Sequence, residues 1–210
     1  MNLKGINPSS VAMKVIKKYT TVEAGFVDHP DDIGKATNHG ITQSTAYGHM
    51  HLWSLYGWSG KMEDMPIELA YHIYYVSWWC KLKLDYISNV SVELAEILFD
   101  WGINGGRKRA AKYFQMILTT HNKKGKFYPN IKPDGAIGRL TLDAFDAYQL
   151  IPYPSVMEKL IWLMHAGRAH RFIEISYERP DERNESFTNG WTARSYNEMK
   201  EHASFVFGGE

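Results

Sequence analysis

A single cysteine, Cys80, stands among the 210 residues, which excludes an internal disulfide framework and suits folding in a reducing cytoplasm. Its neighbours Trp78 and Trp79 mark an apolar helix, so the thiol reads as core material rather than as a nucleophile. Net charge is also scarce: the formal value is +1, leaving no overall field to draw the chain onto nucleic acid, although local basic faces could assist contact with an anionic cell envelope. Lys14, Lys17 and Lys18, and again Arg107, Lys108, Arg109 and Lys112, form local basic faces of the kind that solvated helices carry. No nucleic-acid recognition pattern accompanies them. No stretch reaches the roughly 20 apolar residues that cross a bilayer. Met1-Asn-Leu-Lys-Gly-Ile-Asn-Pro8 has no continuous apolar signal region, so stable membrane insertion is not expected. Internal repeats and low-complexity tracts are missing too, which excludes solenoids and disordered linkers.

Apolar material is abundant by contrast. The chain is 44% hydrophobic, with seven Trp and thirteen Tyr, enough to bury one core plus a small lobe. Ser9 or Ser10 can cap a first helix whose apolar face runs through Val11, Val15, Tyr19 and Val22, widened by Met13 and Ile16, with Gly25 as its stop. Asp64 and Pro66 introduce a helix through Ile67, Ala70, Tyr71, Tyr74 and Trp78, and Ser91 introduces one through Ala95, Leu98 and Phe99. Further helices are expected over 107–118, 140–148 and 155–177, and a last one after Asn189. Residues 119–133 read as a polar connector with two prolines. Only residues 26–43 carry strand and turn signals, with Thr37, Ile41 and Thr42 among glycines. The expected fold class is therefore α+β, mostly α-helical, with a small β-hairpin lobe. Residues 1–100 form its first region and 101–210 a helical region that completes one compact unit.

The most informative stretch is Glu23-Ala-Gly-Phe-Val-Asp-His-Pro-Asp-Asp-Ile-Gly-Lys-Ala-Thr-Asn-His-Gly-Ile-Thr42. Eight residues separate Glu23 from Asp32 and four more separate Asp32 from Thr37, so a turning chain can bring two carboxylates and a hydroxyl to one cleft. At the end of a helix the negative pole of the dipole disfavours the Glu23 carboxylate, and Val22 and Phe26 add desolvation in the same direction. A carboxyl held protonated near neutrality is a general acid. Asp32 sits in a turn-rich, solvated segment and should stay ionised, as a base or electrostatic partner. An acid at a helix end followed by an Asp-rich turn is also common in ordinary globular proteins, so the triplet alone does not decide the matter.

The whole string resembles the signature of glycoside hydrolase family 108, the muramidase-type endolysins and related secretion-activator proteins. Phe99-Asp100-Trp-Gly-Ile-Asn-Gly-Gly106 is similar to that family's central segment, Asp134-Gly-Ala-Ile-Gly-Arg-Leu-Thr141 to its carboxyl-terminal peptidoglycan-associated motif, and Gly190-Trp191 with Arg194 to its end. Ala24 and Lys35 depart from it, standing where glycines are usual. The resemblance covers about residues 10–200 and implies a lysozyme-like fold that cleaves the β-1,4 bond between N-acetylmuramic acid and N-acetylglucosamine of bacterial peptidoglycan. It implies Glu23 as general acid, with Asp32 and Thr37 positioning the attacking water. Asn38, Asp100 and Asn104 are further substrate-contact candidates, although an acid between Phe99 and Trp101 suits a structural role equally well. The Glu23 to Asp32 spacing equals that of phage-type lysozymes, and Thr37 is one residue closer than their threonine.

No metal or organic cofactor is implied, and the protein is expected to be a monomer. Synthesis in the host cytoplasm and action in the periplasm or wall would require a membrane-opening protein or a secretion machine. Three other readings remain. A lytic transglycosylase needs only one catalytic acid. A zinc-dependent amidase or peptidase is suggested by His29, His39, His49 and His51, which lack a His-Glu-x-x-His spacing. A non-catalytic wall-binding module is suggested by the aromatic content, which more often fills a core.

Overall fold

The first helix, α1 (Ser10–Val22), forms because apolar side chains recur at helical spacing behind a serine cap. The Ala12 N–H donates to Ser9 Oγ at 3.1 Å, which settles the cap on Ser9. Ala12, Met13, Val15, Ile16 and Tyr19 are buried, whereas Lys14, Lys17 and Lys18 face solvent. The computed structural model describes residues 3–22, 25–27, 36–178 and 182–207, with the side chains of 21, 22, 182–187 and 203–207 excepted. It divides into two compact units, Met1–Val92 and Glu93–Glu210.

In the first unit, β1 (Thr37–Asn38) and β2 (Ile41–Thr42) form an antiparallel hairpin in which Thr37 faces Thr42 and Asn38 faces Ile41. His39 and Gly40 make its two-residue turn with φ of 50° and 73°. Both values are positive, as the tight turn that matches strand twist requires. Thr42 then caps α2 (Gln43–Tyr47) by accepting from the Thr45 N–H at 3.3 Å. A short helix, α3 (Trp53–Tyr56), and a 3₁₀ turn over Met62–Asp64 lead to α4 (Ile67–Tyr74), which enters from Pro66 and runs on as a π turn over Tyr75–Trp79. Following α5 (Leu84–Ser88), Asp85 fastens this unit together. It accepts from Ser9 Oγ at 3.0 Å, Trp79 Nε1 at 2.9 Å and Tyr75 Oη at 3.2 Å. Cys80 is half-buried, and burial pushes its thiol up, as an unreactive cysteine requires.

The second unit contains nearly all of α6 (Val92–Trp101), then α7 (Arg107–His121), α8 (Arg139–Gln149), α9 (Val156–Glu178) and α10 (Glu182–Phe207). Its core gathers Leu94, Leu98, Phe114, Phe145, Tyr148, Leu160 and Met164, all buried, and each such side chain contributes about 1.5–3 kcal/mol by leaving water. Gly167 of α9 lies against the Tyr113 ring of α7, and a Cβ there would strike it. His165 meets His202, Phe172 meets Trp191 and Ser176 meets Thr188, so α9 and α10 pack antiparallel along their length.

The last helix starts at Glu182 rather than after Asn189. Asn189-Gly190 reads locally as a breaker, but Ser195, Glu198 and His202 recur on one buried face, and packing against α9 carries the helix through the glycine. The architecture is α+β and mostly helical, lysozyme-like, with a small hairpin, as the sequence pattern implies. Among the described residues, no helix is long and apolar enough to cross a membrane.

Candidate active site

Thr37 is the one described member of the expected catalytic trio. Glu23 and Asp32, like His29, lie outside the described residues. The backbone of Thr37 is held from both sides: it pairs with Thr42 in the hairpin and forms a second bridge to Val27. In that bridge each N–H donates to the other residue's carbonyl at 2.8 Å. Val27 follows Glu23 by four residues and Thr37 follows Asp32 by five. The bridge thus ties Val27, just after α1, to the strand that carries the hydroxyl, and brackets the stretch of sequence that contains Asp32.

Asn38 is 4% exposed, and its side-chain amide donates to the carbonyls of Met62 at 2.7 Å and Glu63 at 3.2 Å. It therefore clamps the Met62–Asp64 turn onto the hairpin. His39 reinforces the clamp through Nε2, which donates to the Met65 carbonyl at 3.1 Å, while Tyr74 Oη donates to the His39 carbonyl at 3.2 Å. These contacts make the hairpin a rigid floor beside the turn, the kind of support that a catalytic arrangement requires.

Beside this floor opens a groove of 310 Å³ lined by Phe26, Ala36, Gln43, Tyr47, Gly60, Lys61, Met62 and Glu63. None of these residues was singled out by sequence reasoning for substrate contact. Phe26 was singled out only as a hydrophobic neighbour of Glu23, and it is 43% exposed. The stretch from 43 to 63 carries no motif, only aromatics and glycines that read as core and turns.

Asp100 and Asn104 belong to the second unit. Asp100 is 1% exposed, and its carboxylate accepts from Arg168, from Arg194 at 2.5 Å and from Asn104 Nδ2 at 2.9 Å. Arg168, fully buried, also meets Glu198 at 2.7 Å, and Glu198 meets Arg194 at 3.4 Å. Two acids and two guanidinium groups on α6, α9 and α10 thus neutralise one another inside the unit. Beside them His165 Nε2 and His202 Nδ1 lie 2.9 Å apart, and burial, with Arg168 and His202 adding to it, pushes His165 down to about 3.

The Asp134-Gly-Ala-Ile-Gly stretch is a fastening as well. The Gln115 side chain donates to Asp134 Oδ1 at 3.0 Å, the Ala136 carbonyl at 3.1 Å and Thr141 Oγ1 at 3.0 Å, and it accepts from the Gly135 N–H at 2.8 Å. The Ala136 N–H, and then Gln115, hold the Asp134 carboxyl below its ordinary range. Of the histidines of the zinc reading, His39, His49 and His51 are described, and among the described residues no group of three His, Cys, Asp or Glu side chains is placed to hold a metal ion. His49 instead donates from Nδ1 to the Thr45 carbonyl at 2.8 Å and accepts from Ser77 Oγ at 2.7 Å.

Residues 16–106 match the family model described as Glycosyl hydrolase 108, and residues 109–196 match that of a Predicted Peptidoglycan domain. The chain's first region, residues 16–106, is thus similar to glycosyl hydrolase 108. The two matches in tandem support a peptidoglycan-degrading glycoside hydrolase. No curated protein matches the chain. Among solved structures, that of Brucella abortus SagA is similar, with a TM-score of 0.60 and 23% identity over 92% of this chain and 94% of that one, which is a likeness of fold.

Proposed function

We propose that the protein is an N-acetylmuramidase of the endolysin type. Glu23 protonates the leaving oxygen of the β-1,4 bond between N-acetylmuramic acid and N-acetylglucosamine, and Asp32 with Thr37 positions a water on the opposite face of the sugar. The observation that carries this reading is the Val27–Thr37 bridge. It joins Val27, four residues after Glu23, to Thr37, five residues after Asp32, so the backbone on either side of Asp32 is tied close to the end of the stretch that carries Glu23. Asn38 acts in this scheme by holding the hairpin, and Asp100 with Asn104 by holding the second unit, rather than by touching the sugar. The protein works as a monomer in the wall, reached through a membrane-opening protein or a secretion machine.

Lytic transglycosylation is the competing chemistry, because it needs only one acid and base. Digestion of purified peptidoglycan in heavy-oxygen water separates the two. Reducing-end N-acetylmuramic acid carrying one heavy oxygen is the expected product. Unlabelled 1,6-anhydro ends would replace the hydrolase mechanism by transglycosylation and leave Asp32 and Thr37 as turn residues.

A further inference from the structure

The groove beside the hairpin is built with more care than a surface dip requires. Its wall is Tyr47, the last residue of α2, a residue 42% exposed. Behind it the Trp53 ring meets Tyr47 edge-on at 5.2 Å between centroids, and Trp58 meets Trp53 in the same way at 4.6 Å. This aromatic ladder is pinned at its polar tips: Trp53 Nε1 donates to the Ala46 carbonyl at 3.1 Å and Trp58 Nε1 to the Lys61 carbonyl at 2.8 Å. Gly60, with φ of 99°, passes so close to Trp53 that a Cβ would lie 2.7 Å from the ring. The Tyr47 hydroxyl reaches the Gly60 carbonyl at 3.4 Å, and Gln43 Nε2 reaches that hydroxyl at 3.3 Å. The Asn38 clamp fixes the opposite wall, where Lys61 and Glu63 pair at the rim.

Three properties define the occupant. The groove offers aromatic surface from Tyr47 and Phe26, both partly open to solvent. Its rim supplies an amide, a phenol, an ammonium and a carboxylate, so donors and acceptors are mixed and no single charge sign prevails. The Lys61–Glu63 pair is exposed at 62% and 45%, and such pairs hold weakly enough to exchange partners with a ligand. At 310 Å³ it lies at the small end of ligand sites, suited to a compact ring rather than an extended segment. A pyranose has this pattern, with an apolar face of C–H groups and an equatorial belt of hydroxyl and amide groups.

Resting on the glycan-cleavage reading, we propose that this groove is a subsite for one N-acetylhexosamine ring of the glycan strand. The ring lies against Tyr47, its acetamido methyl meets Phe26, and Gln43, Lys61 and Glu63 take its polar groups.

The test uses the full chain and chitotetraose, a soluble N-acetylglucosamine tetramer, titrated by NMR and by tryptophan fluorescence, with wall-glycan kinetics alongside. Binding should shift the Tyr47 and Gln43 signals. Tyr47→Ala should raise KM about tenfold with kcat within about twofold, the signature of lost uniform binding. Tyr47→Phe should retain most affinity because the ring remains. Gln43→Ala, which removes only a half-exposed amide, serves if Tyr47→Ala fails to fold. Wild-type affinity and KM in folded Tyr47→Ala and Gln43→Ala, or shifts confined to other surfaces, would overturn the proposal. The catalytic reading fails separately, on Glu23→Gln turnover, which the binding titration does not use.

Discussion

Replacing Asp100 by Asn tests whether this residue is a fastening or a sugar contact. The carboxylate is 1% exposed and is shared by Arg168, Arg194 and Asn104. The amide keeps the shape but leaves one buried anion, Glu198, to balance two guanidinium groups, and the fully buried Arg168 has no access to water that would compensate. Breaking a buried ion pair from one side costs about 3–5 kcal/mol. For a chain of this size each kcal/mol moves the melting midpoint by about 2–4 °C, so a fall of roughly 6–20 °C is expected. Arg194→Gln should cost less, about 1–3 kcal/mol, because its side chain is 29% exposed and water replaces part of the lost pairing. The assay is a thermal melt followed by circular dichroism, paired with peptidoglycan turnover well below both midpoints. The fastening role predicts a lower midpoint with turnover preserved in the folded fraction. An unchanged midpoint with turnover abolished would refute it and return Asp100 to the substrate.

Glu23→Gln should lower muropeptide release by at least about a hundredfold while the melt stays unchanged, since the amide cannot donate the catalytic proton; wild-type release would remove Glu23 from the mechanism. Asn38→Ala strands the Met62 and Glu63 carbonyls and should cost about 1–3 kcal/mol in chemical denaturation, with a rise in KM as the groove wall loosens. His165 has a native value of about 3 against an ordinary 6.5, so the unfolded chain takes up a proton that the native one refuses. Its contribution is complete above pH 6.5 and is lost as pH falls from there toward 3, at about 1.4 kcal/mol per pH unit. His202, Arg168 and, through His202, Glu96 face this ring, and His165→Gln should flatten the acid limb of a stability-against-pH curve. An identical limb in the variant would mean that other groups set it.

Legibility in the sequence followed range. Helical periodicity and caps act within a few residues, and for that reason α1, α4, α6, α7, α8 and α9 were all readable. The hairpin was readable from Thr37, Ile41 and Thr42 among glycines for the same reason, and the structure puts its turn at His39-Gly40. The burial of Asp100 was hinted by Phe99 and Trp101, but its partners stand 68 and 94 residues away, and no local pattern names them. The groove shows the same limit more sharply. Gln43, Tyr47, Gly60 and Lys61 look individually like helix, core, turn and surface, and only the Asn38 clamp and the tryptophan ladder bring them together. A signature motif identifies residues that do chemistry because their types are constrained. A sugar platform needs only an aromatic ring at the right place, and the place is set by contacts such as Asn38 to Met62 across 24 residues. Substrate preference among glycosyl hydrolase 108 proteins should therefore vary through the 43–63 stretch while the 23–42 string stays fixed. Exchanging that stretch between two glycosyl hydrolase 108 proteins of different wall preference should transfer KM without transferring kcat, and a chimera that keeps its parent's KM would place the preference elsewhere.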